Sequence, residues 1–238
     1  MELLEKAMNK ILGQANLGRL DYFRYPDMQS SWGGPFNGQK FRQRIFFDLL
    51  YHCPIKAIVE TGTFRGTTTA MFAATMLPVY TVERSPRFFN YSKTRFVFNR
   101  QNLFLYQNDS RSFLRELSED DSVPKEDVFF YLDAHWKNDL PLREELDIIF
   151  SNWKRSIVMV DDFQVPNADY KYDDYGIGKT LNLDYIESVV LTHNLSVFFP
   201  AVNSSEETGA KRGSVMICPE LLGEQLDAKV QTLVRHAY

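Results

Sequence analysis

The sequence contains few cysteines and no long apolar run. Only two cysteines occur among 238 residues, and these two, Cys53 and Cys218, stand far apart in apolar surroundings. This number excludes a disulfide framework and their spacing excludes a zinc site, so we expect two reduced, buried thiols. No stretch approaches the roughly 20 apolar residues that span a bilayer, and the N-terminus lacks the basic start of a signal peptide. The sequence therefore predicts a soluble, cytoplasmic protein.

A surplus of positive charge is also missing. The formal net charge is -4, with acidic and basic residues interspersed. This distribution disfavours nucleic acid and membrane surfaces as partners, and it leaves a small-molecule substrate and a homo-oligomer open. Because 238 residues suffice for one α/β domain with a complete core, and neither a repeat nor a linker is visible, we predict a single domain over residues 1–238.

Short apolar runs alternate with longer, helix-like stretches through most of the chain. Five runs are rich in Val, Ile, Phe and Tyr: Ala57–Thr61, Val79–Glu83, Leu103–Gln107, Val128–Asp133 and Ile157–Asp162. Apolar strands separated by helices predict a parallel sheet that is covered on both faces. Two later runs, Ser196–Pro200 and Ser214–Cys218, have no helix between them and should pair as a hairpin.

These patterns predict an α/β fold with a Rossmann-like, doubly wound sheet. The sheet should have five parallel strands plus a C-terminal β-hairpin, all within a core over residues 53–238. The preceding residues, 1–52, should form an N-terminal helical cap with helices at Glu2–Leu12 and Phe41–Leu50. A glycine-rich segment, Trp32–Gln39, and a later loop, Tyr170–Tyr175, are expected to cover the substrate.

The first strand runs directly into a glycine-containing turn, ETGTFRGTTT, which opens a helix. Gly62 and Gly66 permit a tight turn and the close approach of a ligand to the helix N-terminus. A dinucleotide-binding turn needs another glycine between them to admit a pyrophosphate, and Phe64 stands there instead. S-adenosylmethionine (SAM) has only an amino-acid carboxylate at this end, so the turn favours SAM over NAD. The predicted cofactor residues of this turn are Glu60, Gly62, Thr63, Gly66 and Thr67.

Polar residues follow the second and third strands as well. Glu83 ends the second strand, where an acid accepts hydrogen bonds from both ribose hydroxyls of an adenosine ligand. Asp109 and Ser110 follow the third strand and are predicted to lie near the adenine. A solvated carboxylate at Glu83 and a simple helix cap at Asp109 or Ser110 are the structural alternatives.

Three aspartates end the fourth and fifth strands. Because the carboxyl ends of parallel strands open onto one crevice, Asp133, Asp161 and Asp162 should converge beside the cofactor. Such carboxylates repel each other unless a cation neutralises them, and oxygen ligands suit Mg²⁺, Mn²⁺ or Ca²⁺. The alternative is that one of the paired aspartates caps a turn. Asp133 is predicted to serve metal, cofactor and catalysis, while His135 and Lys137 are candidate bases.

Four segments in this order and spacing, ETGTFRGTT, VYTVERSP, YLDAHWK and VMVDDF, resemble the metal-dependent O-methyltransferases of the catechol O-methyltransferase type. The resemblance implies a class I SAM-dependent methyltransferase fold, with Glu83 on the ribose and Ser110 near the adenine. It also implies metal ligands at Asp133, Asp161 and Asp162.

Two departures from the catechol enzymes bear on the substrate. An aspartate, Asp162, stands where those enzymes have an asparagine, and paired aspartates are more similar to bacterial sugar O-methyltransferases of the macrocin type. Ala134 shifts Lys137 by one position from the catalytic lysine of the catechol enzymes.

The resulting expectation is Mg²⁺-dependent O-methylation of a vicinal diol, sugar or phenol. Three alternatives stay open: metal-independent O- or N-methylation with His135 as the base, a non-catalytic SAM-binding module, and an NAD-dependent oxidoreductase.

Overall fold

The structure is a computed structural model. It describes residues 2–98, 101–135 and 139–237, with side chains from residue 10 onward. Over these residues, no helix is both long enough and apolar enough to cross a membrane.

A mixed sheet runs through the centre of the protein. Its strands are β1 (Ala57–Thr61), β2 (Val79–Val82), β3 (Leu103–Tyr106), β4 (Val128–Leu132), β5 (Ile157–Asp161), β6 (Leu195–Pro200), β7 (Ser214–Pro219) and β8 (Leu233–Arg235). They lie in the order β3-β2-β1-β4-β5-β7-β6-β8. The first five are parallel to one another, and β7 pairs antiparallel with both β5 and β6. The predicted parallel sheet and hairpin are thus confirmed.

The last strand, β8, was not predicted from the sequence. It pairs antiparallel with β6 at the edge of the sheet. Only three residues form it, and the side chain of Val234 points outward and is half exposed. A run this short has no readable alternation, so its pairing depends on the tertiary structure.

Helices cover both faces of the sheet. They are α1 (Glu2–Arg24), α2 (Lys40–His52), α3 (Thr67–Ala74), α4 (Pro86–Arg95), α5 (Ser110–Glu119), α6 (Leu142–Asn152), α7 (Leu183–His193) and α8 (Glu220–Lys229). Two 3-10 segments, Pro26–Gly33 and Pro35–Gly38, precede α2. Every residue of β1, β4 and β5 is buried, as expected for strands between two helical layers.

Side chains alternate between the two faces along each strand and so form two apolar cores. Helices α5, α6 and α7 close one core with residues such as Phe113, Leu146 and Ile186. Helices α2, α3 and α8 close the other with residues such as Phe46, Phe72 and Leu222. In β5, Ile157 and Met159 face the second core. The alternation therefore turns Asp161, two residues further on, toward α2.

The first helix is longer than predicted and is interrupted at Gly13, where the backbone leaves the helical region with φ 72°. Its second half lies against α4, where a Cβ on Gly18 would stand 1.9 Å from the carbonyl oxygen of Arg87. An ion pair of 2.6 Å joins Asp21 to the Arg87 guanidinium on the same side. Gly18 thus permits a close helix contact, although a glycine inside a helical pattern weakens the sequence signal.

The loop between β6 and β7, residues 201–213, holds the start of α2. Glu207 is buried, and its carboxylate accepts hydrogen bonds from the backbone N–H groups of Phe41 and Arg42 at 3.0 and 3.1 Å. Ala210 N–H donates to the carbonyl of Asn37 at 3.0 Å. Because the first N–H groups of a helix lack partners within it, Glu207 acts as a cap supplied from a distant part of the chain. The contact attaches the N-terminal segment to the carboxyl end of the sheet.

Candidate functional site

The turn between β1 and α3 depends on its two glycines. Gly62 and Gly66 have φ angles of 91° and 70°, in the region that disfavours other residues. A Cβ on Gly62 would lie 2.3 Å from the carbonyl oxygen of Asp133, and one on Gly66 would lie 2.5 Å from the Phe96 ring. The turn is therefore packed directly against the chain that leaves β4. Gly66 ends it as the cap residue of α3.

An aromatic residue occupies the centre of the turn. Phe64 has φ 49°, and its ring packs on Phe88 with 4.4 Å between centroids. The Arg65 guanidinium lies over the Phe64 ring at 4.5 Å. This packing fills the position where a dinucleotide-binding turn needs a bare backbone.

Glu83 connects the end of β2 to the glycine turn. One carboxylate oxygen accepts a hydrogen bond from Phe64 N–H at 2.8 Å, and the other accepts one from Ser85 N–H at 2.7 Å. Burial raises the pKa of Glu83, and these backbone N–H groups partly counteract it. Each oxygen keeps further acceptor capacity for a ligand. Its contact with a ribose stays a prediction.

Glu60 and Thr63 lie beneath the turn in a buried hydroxyl network. A single oxygen of Glu60 accepts hydrogen bonds from the hydroxyls of Thr69 and Thr81 at 2.5 and 2.6 Å. The Thr63 hydroxyl lies 2.6 Å from that of Thr81. Burial raises the pKa of Glu60 to about 7, although the two threonine hydroxyls lower it. The side chains thus support the turn, and their direct contact with a cofactor stays a prediction.

We expect Glu60→Gln to remove one source of pH-dependent stability. The usual carboxyl pKa is 4.5 and the folded value about 7, so between these values the folded protein holds a proton that the unfolded chain has released. Stability contributed by Glu60 is thus complete below pH 4.5 and falls by about 3 kcal/mol as the pH rises to 7. The glutamine variant should lack this loss and be the more stable protein at pH 8.

Denaturant unfolding between pH 4.5 and 8 measures this difference. Glu187→Gln, at an exposed position of α7, is the matched control and should follow the wild type throughout. Parallel stability curves for Glu60→Gln and the wild type would show that Glu60 is ionised in the folded protein.

The polar residues after β3 have local roles in the structure. Asp109 caps α5 by accepting a hydrogen bond from Arg111 N–H at 3.1 Å, and it also pairs with the Arg111 guanidinium at 2.9 Å. Ser110 is buried. The capping alternative therefore holds for Asp109, while contact of either residue with an adenine stays a prediction. Thr67, on the turn side, donates its hydroxyl to the carbonyl of Gln29 at 3.2 Å.

The aspartates that end β4 and β5 divide into two environments. Asp133 and Asp162 are partly exposed, and they form a group with His135 in which one potential ligand atom from each residue lies within 4.8 Å of the others. Asp161 is completely buried and forms an ion pair with Arg42. Sequence reasoning expected Asp161 beside the other two, but strand alternation directs it toward α2. The described geometry groups His135 with Asp133 and Asp162 instead.

Charges around the group shift the pKa values in opposite directions. Partial burial and the neighbouring Asp161 and Asp162 carboxylates together raise the pKa of Asp133 well above its usual value. Burial also raises the pKa of Asp162, and the Asp161 carboxylate raises it further. Burial tends to raise the pKa of Asp161 too, but the Arg42 guanidinium outweighs it and lowers that value. A carboxylate pair that is difficult to ionise is suited to a cation.

Of the two candidate bases, the structure describes His135 but not Lys137. The His135 side chain is only 3% exposed and lies among carboxylates. Burial alone would lower its pKa, but Asp162, Asp173 and Asp161 outweigh burial and raise it. Lys137 lies outside the described residues.

Sequence reasoning missed two arginines and one aspartate of the site. Arg42 bonds to Asp161, and Arg212 bonds to both Asp162 and Asp173. Arg42 had a readable signal, since it shares the apolar face of its helix with Ile45, Phe46 and Leu49 at helical spacing. The contacts of Arg212 and Asp173 arise between two irregular loops, for which the sequence offers no periodic signal.

Neither a protein-family model nor a curated protein matches the sequence. Several solved structures share its fold. An O-methyltransferase from Bacillus cereus in complex with SAH has 15% identity and a TM-score of 0.55, over 75% of this chain and 81% of that one. The O-methyltransferase TomG from Streptomyces achromogenes, in complex with SAM, has 17% identity and a TM-score of 0.55, over 75% and 79%. The fold is that of a class I methyltransferase.

The strand order agrees with this assignment. Dinucleotide-binding sheets of the Rossmann type have the order 3-2-1-4-5-6. In this methyltransferase fold, the antiparallel strand β7 stands between β5 and β6. Together with Phe64 in the turn, this arrangement argues against the NAD-dependent oxidoreductase.

Proposed function

We propose that the protein is a SAM-dependent O-methyltransferase that acts on a hydroxyl group of a small molecule, such as a vicinal diol, a sugar or a phenol. One observation carries the proposal. Asp133 contributes its carboxylate to the group with His135 and Asp162, and its backbone packs on Gly62 of the cofactor turn. A methyl donor bound at the turn would therefore lie beside a charged group that can hold an acceptor.

The residues around the turn are compatible with SAM. The left-handed glycines bring bare backbone to the N-terminus of α3, where the first N–H groups suit a carboxylate such as that of the methionine part. Glu83 stands at the end of the neighbouring strand with acceptor capacity for ribose hydroxyls. SAM carries a methyl group already activated by its sulfonium. The task of the chain is thus to place an acceptor oxygen about 3 Å from that methyl group.

The acidic group is compatible with a divalent cation, for which Mg²⁺, Mn²⁺ and Ca²⁺ are the candidates. Asp133 and Asp162 offer carboxylate oxygens, and the buried Nε2 of His135 has no hydrogen-bond partner among the described residues. When bound, such a cation would lower the pKa of a coordinated acceptor hydroxyl. Arg212 holds one oxygen of Asp162 and so orients the other toward His135.

Lys137 and His135 stay the two candidate proton acceptors, and Lys137 lies outside the described residues. A specific observation favours a second candidate, namely metal-independent O- or N-methylation with His135 as the base. The carboxylates around His135 raise its pKa, as suits a group that must accept a proton. A non-catalytic SAM-binding module differs from both in that it would show no turnover with any acceptor.

We propose the cytoplasm as the location, supported by the free, buried thiols of Cys53 and Cys218. A small-molecule acceptor is the proposed partner, without nucleic acid or a membrane. Two further expectations stay predictions: a homo-oligomer, and a single domain with a helical cap over residues 1–52 and a core over residues 53–238.

We expect Glu83→Ala to weaken SAM binding strongly. Loss of two hydrogen bonds between a carboxylate and the ribose hydroxyls should cost about 2–4 kcal/mol, because each such bond contributes roughly 1.5–3 kcal/mol and water restores a part. Titration calorimetry with SAM measures the difference.

Glu187→Ala removes an exposed acid on α7 and is the matched control, which should bind SAM like the wild type. If Glu83→Ala is folded and binds SAM within twofold of the wild type, the cofactor assignment is wrong. A screen of catechols, phenols and sugars for formation of S-adenosylhomocysteine then tests catalysis itself.

A further inference from the structure

The carboxylate of Asp161 is fully occupied by hydrogen-bond donors. One oxygen accepts from the Arg42 guanidinium and from Asp162 N–H at 2.7 Å. The other accepts from the Tyr131 hydroxyl at 2.6 Å and from the Asn37 amide at 3.0 Å. A carboxylate has about four lone-pair positions, so these donors leave none for a metal.

The Nε2 atom of His135 is in the opposite situation. It is buried and has no hydrogen-bond partner among the described residues. Three carboxylate oxygens surround it, from Asp133 at 4.0 Å, Asp162 at 3.9 Å and Asp173 at 3.8 Å. Charge-assisted hydrogen bonds have lengths of about 2.7–2.9 Å, so none of these contacts is one. A buried polar atom without a hydrogen-bond partner destabilises the folded protein unless a ligand binds to it.

Asp173 lies outside the group whose potential ligand atoms meet within 4.8 Å, and each of its oxygens already accepts one hydrogen bond. One accepts from Arg212 and the other from the hydroxyl of Tyr175. Asp162 differs, since Arg212 occupies one oxygen and the other faces His135. Among the described residues, the groups that still have a free atom for a metal ion are thus Asp133, His135 and one oxygen of Asp162.

The charges of the site leave a deficit that one dication would balance. Four aspartates converge there, namely Asp133, Asp161, Asp162 and Asp173. Arg42 neutralises one of them, and Arg212 can neutralise one more. With a neutral imidazole, two negative charges remain among the described residues.

We propose that His135, and not Asp161, is the third protein ligand of the cation, and that the site therefore selects Mn²⁺ over Mg²⁺. This inference rests on the proposed function insofar as it concerns the same site. Carboxylate oxygens suit Mg²⁺, Ca²⁺ and Mn²⁺ alike, whereas an imidazole nitrogen is a better ligand for a transition metal such as Mn²⁺ than for Mg²⁺. Asp161 instead anchors α2 through Arg42 and leaves the coordination position to His135.

Pulsed EPR of the Mn²⁺-loaded protein tests the ligand without any assay of activity. Coupling of the electron spin to one imidazole nitrogen is expected in the wild type, and it should change when histidine is labelled with ¹⁵N. It should disappear in His135→Ala and persist in His193→Ala, whose imidazole bonds to Asp147 on the protein surface at 2.9 Å. Calorimetry should show tighter binding of Mn²⁺ than of Mg²⁺, and a loss of Mn²⁺ affinity of about tenfold or more in His135→Ala.

Several outcomes would overturn the inference. If Mn²⁺ binds without nitrogen coupling, the third protein ligand is an oxygen and not His135. If Asp161→Asn stays folded but loses Mn²⁺, Asp161 is that ligand. Equal or tighter binding of Mg²⁺ would overturn the selectivity. The proposed function can fail independently of this inference. If the protein shows nitrogen-coupled Mn²⁺ but does not bind SAM, His135 is a metal ligand and the methyltransferase function is wrong.

Discussion

Methyl transfer by the purified protein should stop in excess EDTA, while the affinity for SAM stays nearly unchanged. In the proposed function, Asp133 and Asp162 would hold the acceptor through the cation, whereas SAM would depend on Glu83 and the glycine turn. A Lewis acid contributes several kcal/mol to such a step, so the rate should fall at least about a hundredfold. Asp162→Ala should show the same division between rate and SAM affinity.

The measurement requires an acceptor found in the screen, a radioactive methyl group on SAM, and restoration of the rate by added Mn²⁺ or Mg²⁺. Asp169→Ala is the matched control, because this aspartate is exposed in the loop after β5 and should have no effect. Undiminished transfer in EDTA would exclude the metal. The aspartates would then hydrogen-bond a polar or cationic substrate, and His135 would become the base.

Arg42→Met should destabilise the protein more than any single surface change. The substitution leaves the Asp161 carboxylate in the core without its cation, and removing one partner of a buried ion pair costs about 3–5 kcal/mol. Methionine preserves much of the apolar stem of Arg42. The decrease in the free energy of unfolding therefore reports mainly the missing guanidinium charge and its hydrogen bonds to the carbonyls of Arg212 and Gly213. Denaturant unfolding at pH 7 gives the free energy of unfolding for both proteins.

A residue on the same helix supplies the control. Arg44 is exposed and forms an ion pair with Asp48 at 4.0 Å, so Arg44→Met should change stability by less than about 0.5 kcal/mol. The double variant Arg42→Met/Asp161→Leu should recover part of the loss, since apolar residues of similar volume often replace a buried ion pair. A loss below about 1 kcal/mol for Arg42→Met alone would mean that Asp161 does not need this cation.

The sheet was predictable because its signals are local. Runs such as Val128–Leu132 are apolar throughout, and only helices long enough for crossovers separate them, which is how a parallel sheet between two helical layers appears in a sequence. The absence of a helix between β6 and β7 likewise indicated a hairpin. The three residues of β8 carry no such pattern, and they form a strand because they pair with the free edge of β6.

The location of the candidate site was predictable, but which of its aspartates forms an ion pair with an arginine was not. Aspartates at the ends of β4 and β5 must meet, because parallel strands bring their carboxyl ends to one edge. Which carboxylate stays free depends on Arg42, whose bond to Asp161 spans 119 residues. The direction of the His135 side chain was equally unreadable, since a residue in a loop has no periodic face. The available hints were the strand alternation from Ile157 through Met159 to Asp161 and the position of Arg42 on the apolar face of α2.

The attachment of α2 by the 201–213 loop sets an order of events during synthesis of the chain. Arg42 contacts the carbonyl of Gly213, which lies 171 residues further along, and Glu207 caps the same helix. At about 5–20 residues per second, a ribosome needs on the order of ten to thirty seconds for that interval. In the last part of this interval the nascent chain already holds Asp161, but α2 still lacks its cap and cannot take its final position. The acidic edge should therefore mature late, and a chain truncated before Glu207 should retain an open, unneutralised edge.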